Sequence, residues 1–168
     1  ARADPDPAVR VDVAGAVWLL QRRPEEAGPV LAKALADANW EVRARAAAVL
    51  ADVARIGHWP IRSSPLMVEL VGTHLQKATR DDQAIVRVRA ALALWRFTAN
   101  PLLSVPPLEA ALAVPKESVR IEAARALGEI GPPGRSAAPA LRKLLADPDP
   151  TVRSAAAQDL EAMGLAAG

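Results

Sequence analysis

The chain has 168 residues, 51% of them apolar and 24% charged, with four Trp, one Phe, no Tyr and no Cys. Twenty-one basic against 19 acidic side chains leave a net charge of +2, too small a field to mark a binder of nucleic acid or anionic lipid by charge alone. The lack of Cys excludes disulfides and thiolate chemistry. No run approaches the ~20 apolar residues of a membrane span and no secretory leader is visible, so the cytoplasm is the expected compartment.

The apolar half is mostly Ala, Leu and Val. Ala and Leu are strong helix formers, and the aromatic residues that favour strands are sparse, so an all-α chain is expected. Arg outnumbers Lys 17 to 4, which together with the abundant Ala points to a GC-rich bacterial genome. The first residue is Ala and not Met, as expected of a fragment of a longer protein.

The first predicted helix follows Asp4-Pro5-Asp6-Pro7 and carries Val9-Arg10, Ala14, Val17 and Leu20 on one stripe. Asp6 stands where a side-chain oxygen caps free N–H groups, and Pro7 sits at N1. A shorter helix around Leu31 follows, and then the pattern starts again: Asn39 as cap, Val42-Arg43, Ala47, Leu50 and Val53. Val-Arg recurs at Val86-Arg87, Val119-Arg120 and Val152-Arg153, with spacings of 33, 44, 33 and 33 residues. Ala stands five residues after every one of these Val residues, and large apolar residues stand eight and eleven after it. Offsets of 0, 4, 5, 8 and 11 draw one stripe along a helix. A short helix precedes all but the first, with Leu31, Leu75, Leu108 and Leu141 each eleven residues before the next Val.

The 44-residue spacing implies an insertion near 57–65, expected to project as a loop. The helix after it is expected to be longer than its siblings, because Thr73 stands where they carry Pro29, Pro106 and Pro139. The repeats fall near 1–35, 36–78, 79–113, 114–146 and 147–168, in a single domain of nine or ten helices. Neither helix of a hairpin can bury its stripe alone, so stability must come from stacking. The last helix carries Gln158, Asp159 and Glu161, read as the polar outer face of a terminal repeat. The first helix opens without a preceding partner, and Val11, Val13, Val17 and Leu20 leave it few polar residues. Self-association through that uncapped end is therefore expected.

Asp147-Pro148-Asp149-Pro150-Thr151-Val152-Arg153, Asp4 through Arg10, and Val119-Arg120 through Gly131 resemble HEAT repeats of the short, phycocyanobilin-lyase type. The resemblance implies a right-handed α-solenoid of about five helical hairpins, with the Val-Arg helices lining a concave side. It also implies a structural ladder between the turn Asp and the Arg after Val: Asp4, Asp37, Asp81 and Asp147 with Arg10, Arg43, Arg87, Arg120 and Arg153. Val114 replaces the Asp in the fourth repeat.

Catalytic signatures are lacking. His58 and His74 are sixteen residues apart, no phosphate loop or nucleophile motif is present, and Asp81-Asp82 and Glu25-Glu26 are explained as helix-start acids. No enzyme activity, metal or cofactor is expected. The residues left for binding are Trp18 and Trp95, nine after their Val, with Val88 and Leu92. They read either as packing or as an exposed anchor, since Trp is favoured at interface hot spots. Arg45, Arg89 and Arg96 form a small basic set on the concave columns, diluted by Asp52. The expected role is a non-catalytic scaffold for a protein or peptide. The alternatives are nucleic-acid binding through that Arg set, or a bilin-lyase-like role.

Overall fold

The computed structural model describes residues 4–56 and 65–165, and of residues 65–68 the backbone alone. Its contacts divide the chain into two compact units, Ala1–Ala99 and Asn100–Gly168. All regular structure among the described residues is helical.

Unit 1 holds α1 (Pro7–Gln21), α2 (Pro24–Ala34), α3 (Trp40–Ile56), α4 (Pro65–Ala78) and α5 (Ala84–Thr98). The longer helices α1, α3 and α5 pack side by side in that order, while α2 lies on α1 and against α4, and α4 on α5. Unit 2 holds α6 (Pro101–Ala111), α7 (Glu117–Ile130), α8 (Ala138–Lys143) and α9 (Pro150–Ala162). Within it α6 lies on α7, α7 on α9, and α8 on α9. Within each unit hairpins stack on hairpins, the arrangement of an α-solenoid.

Each stack is centred on one Leu from every helix but α1. Leu31, Leu50, Leu75 and Leu94 in unit 1, and Leu108, Leu127, Leu141 and Leu160 in unit 2, are essentially inaccessible to solvent. Around them the buried positions are largely Ala, including Ala46, Ala47, Ala90 and Ala91. Such short side chains let neighbouring helix axes approach closely, and dispersion contacts then replace bulk.

Local signals set the helix ends. Asp6 accepts from the Ala8 N–H, Asn39 from Glu41, Asn100 from Leu102, and Asp149 from both Thr151 and Val152. At the end of α7, Gly131 takes φ +68°, a conformation that side chains rarely adopt.

The short helices follow their prolines. α2 and α6 are 11 residues each, with Pro29, and Pro106 with Pro107, inside them. α4 has Thr73 in that column and runs for 14. In the fourth repeat Gly131-Pro132-Pro133-Gly134 imposes a 3-10 turn over Pro132–Ala137, and α8 is left with six residues before a further 3-10 turn at Leu144–Ala146. The insertion expected near 57–65 lies outside the described residues except for Pro65, where α4 begins.

Candidate interaction face

The ladder residues form a regular set of contacts. In every repeat the Arg after Val donates through Nη1 to two carbonyls of its own preceding turn. Arg10 binds the carbonyls of Asp4 and Pro5, Arg43 those of Asp37 and Ala38, and Arg87 those of Asp81 and Asp82. Arg120 binds those of Val114 and Pro115, and Arg153 those of Asp147 and Pro148. The acceptors lie six and five residues upstream each time. The clamp survives at Val114 because it uses only backbone, a role that reading Asp and Arg as partners does not reveal.

Two of these arginines also reach the carboxylate of the next turn. Arg43 donates Nε to Asp81 Oδ2 at 2.6 Å and Nη2 to Asp81 Oδ1 at 2.9 Å, with Asp82 2.8 Å away. Arg120 holds Asp147 in the same fork, at 2.9 Å and 2.9 Å. Each carboxylate also accepts an N–H of its own turn, Gln83 for Asp81 and Asp149 for Asp147. Burial pulls Asp81 upward, but the Arg43 and Gln83 hydrogen bonds outweigh it, so its carboxyl lies below the ordinary range. Arg120 holds Asp147 below that range too.

The Trp residues separate. Trp18 is 4% exposed and meets Phe97 edge-on, ring centroids 6.2 Å apart at 69°. It is a core side chain, so of its two readings the packing one holds and the exposed anchor does not. Val88 is fully buried as well, while Leu92 and Trp95 are half-buried. The physical reason lies in the columns. In unit 1 a Cβ on Gly15, six after Val9, would meet Val49 of α3 at 2.5 Å. In unit 2 a Cβ on Gly128, nine after Val119, would collide with Asp159 of α9. Offsets of 6 and 9 thus look towards the following repeat, and small residues at Gly15 and Gly128 were the signal in the sequence.

Asp159 is also corrected. It is buried, not part of a polar outer face, because an offset of 7 points back to the preceding repeat. Its Oδ2 has no hydrogen-bond partner among the described residues. Burial pushes its carboxyl up to about 6, against a downward pull from Arg125. Gln158 and Glu161 are exposed as expected.

The basic set on the Val-Arg helices of unit 1 is engaged by acids and carbonyls. Arg45 forks onto Asp12, with Nε 2.6 Å from Oδ1 and Nη2 on Oδ2. Arg96 donates Nη1 to the Ala51 carbonyl at 2.8 Å and lies 4.0 Å from Asp52, which also takes Arg55 at 3.4 Å. Arg89 is half-buried and also engaged. Arg45, Asp12, Asp52 and Arg55 are each about half exposed, so the face alternates in sign.

In unit 1 an open groove of about 820 Å³ lies between the turn after α2 and the second half of α4, lined by Asp37, Arg43, His74, Lys77, Arg80 and Asp81 among others. His74 Nδ1 is hydrogen-bonded to the Leu70 carbonyl at 2.8 Å. Among the described residues no three His, Asp or Glu side chains gather closely enough to hold a metal ion. No described helix is long and apolar enough to cross a membrane.

Residues 72–161 match the family model for HEAT repeats. Among solved structures the chain resembles the crystal structure of an engineered protein, at 24% identity and a TM-score of 0.60, over 95% of this chain and 75% of that one. That likeness concerns the fold alone. No curated protein matches.

Proposed function

The chain belongs to the HEAT-repeat family, and on that premise we propose that it is a non-catalytic scaffold for a partner protein or peptide, bound on the face of the Val-Arg helices. The observation that carries this reading is the charge alternation of Asp12–Arg45 and Asp52 with Arg55 and Arg96. A protein surface, itself mixed in sign, can complement such a face pair by pair. A polyanion needs a sustained basic stripe, and here Arg45 is already engaged by a carboxylate and Arg96 by a carbonyl.

The test has two arms. Partners recovered on the immobilised chain are compared between wild type and Arg45→Glu/Asp52→Arg, which inverts the face at exposed positions. A partner retained by wild type and lost by at least ten-fold on the variant supports the reading, and equal retention opposes it. Duplex DNA titrated by fluorescence anisotropy is the second arm. Tight binding that falls by orders of magnitude on raising salt would overturn the scaffold reading in favour of a nucleic-acid one.

A further inference from the structure

Lys33 and Lys77 stand in one column of the repeat, two residues after the core Leu31 and Leu75. Each lies in the last turn of its helix, α2 and α4, and these two helices pack against each other. The helix dipole favours a cation there, which explains the residue type but gives neither ammonium a partner. Arg80, three residues beyond Lys77, adds a third charge in the turn after α4. All three side chains are exposed, and none makes an ion pair among the described residues.

They border a recess with an apolar floor. The groove between the turn after α2 and the second half of α4 includes Leu35, Ala36 and Ala78 in its lining. A second recess of about 560 Å³ shares Ala36, Asp37 and His74 with it and adds Pro29, Lys33 and Leu70. Arg43 and Asp81, which also line the groove, are occupied with each other in their fork. Of the charged side chains that remain, Lys33, Lys77 and Arg80 are cations and Asp37 is the acid, its Oδ1 accepting the Asn39 N–H at 2.9 Å.

This arrangement discriminates between ligands. The lysine column reads Ala110 in the next repeat, so the basic track is short, and Asp37 interrupts it. A duplex backbone, whose binding is spread over many phosphates, gains little from so short a track. A peptide gains more, because an apolar side chain can cover the floor while spaced carboxylates reach the rim. Packed helices lie ~8–10 Å apart. In an extended polyproline-type chain, at ~3.1 Å per residue and about three residues per turn, positions three apart share one face roughly 9 Å from each other. Carboxylates at that spacing match lysines carried on neighbouring helices.

We propose that this groove is a second interaction surface, independent of the Val-Arg face, and that it takes an extended acidic peptide with carboxylates three residues apart around an apolar residue.

A fluorescein-labelled peptide, Gly-Pro-Glu-Leu-Pro-Glu-Pro-Gly, titrated with the 168-residue chain and followed by fluorescence anisotropy, is the test. Saturable binding is expected, and Lys33→Glu/Lys77→Glu should weaken it by about ten-fold or more, since two exposed ion pairs become repulsive. Replacing both glutamates of the peptide by glutamine should weaken it similarly, and Lys33→Arg/Lys77→Arg should keep it. Both lysines are exposed, so helical circular dichroism is expected to stay unchanged. Arg45→Glu/Asp52→Arg is expected to bind the peptide like wild type, so this surface and the Val-Arg face stand or fall separately. Absence of saturation at about 1 mM chain, or binding indifferent to the charge reversal or to the glutamine peptide, overturns the proposal. Duplex DNA that displaces the peptide better than unlabelled peptide does, and that no longer binds the Lys33→Glu/Lys77→Glu chain, assigns the groove to polyanions and overturns it too.

Discussion

Gly128 of α7 and Asp159 of α9 occupy adjoining space: a Cβ on Gly128 would collide with Asp159 Oδ1 and approach the Asp159 Cβ to 3.0 Å. The missing side chain of one is the room for the other, and the carboxylate it admits is buried with one oxygen unpaired.

The first prediction follows from that arrangement. The folded chain holds the Asp159 proton up to about pH 6, against an ordinary value of 3.8, so the native state binds more protons than the unfolded state between them. Stability from this group is therefore fullest below about pH 4, declines as pH rises through 6, and stays low above. Asp159→Ala restores the small residue found in the same column at Ala16, Ala93 and Ala126. At pH 7 it is expected to stabilise unit 2 by about 1–2 kcal/mol, less than the displacement alone implies because Arg125 and partial solvation offset it. Urea unfolding of wild type and variant at pH 4.5 and 7.5 checks this, and the gain should shrink at the lower pH.

The ladder titrates the other way. Arg43–Asp81 and Arg120–Asp147 hold their carboxyls below the ordinary range, so what they contribute is present above about pH 4 and lost as pH falls through the lowered values. Asp81→Ala leaves a largely buried Arg43 without its fork and is expected to cost about 2–3 kcal/mol at neutral pH. Asp147→Ala should destabilise unit 2 in the same direction. Chemical denaturation at pH 7 and pH 3 is the measurement, and the wild-type advantage should narrow at pH 3.

Trp18 and Trp95 are predicted to differ. Trp18→Ala empties space against Phe97 and should cost about 3–5 kcal/mol. Trp95→Ala, at a half-buried site, should cost less than half as much. Equal losses by thermal or urea unfolding would contradict the separation.

Thr73 offers a backbone test. Its hydroxyl donates to the Glu69 carbonyl at 2.6 Å within a 14-residue helix. Thr73→Pro removes a helix hydrogen bond at a site whose helix has grown without one of the prolines its siblings carry. A loss of about 3 kcal/mol and reduced helicity by circular dichroism are expected.

The repeat made most of the fold legible. The Val-Arg anchors, the caps at Asp6, Asn39 and Asp149, and the longer α4 all follow from spacing and local chemistry, which act within a few residues. What spacing conveyed poorly was direction across the stack. Asp159 read as polar and therefore outer, and Trp18 stayed open between packing and an anchor for a partner. Which neighbour a column faces is set by packing angle, and its trace in the sequence was a glycine, Gly128 opposite Asp159 and Gly15 opposite Val49. The pairing of the Arg set was illegible for a different reason: a basic side chain looks available until the acid 33 residues away, Asp12 for Arg45, is placed beside it.

The arginine clamp also separates two stages of folding. Each Nη1 bond closes a loop of only five or six residues, so every turn can form with its own helix before any repeat has met another. The forks Arg43–Asp81 and Arg120–Asp147 span 38 and 27 residues and can close only as hairpins dock. A single guanidinium thus serves nucleation through one nitrogen and propagation through the others. Arg43→Lys, which cannot span both, should slow refolding, whereas Asp81→Ala should act mainly by hastening unfolding.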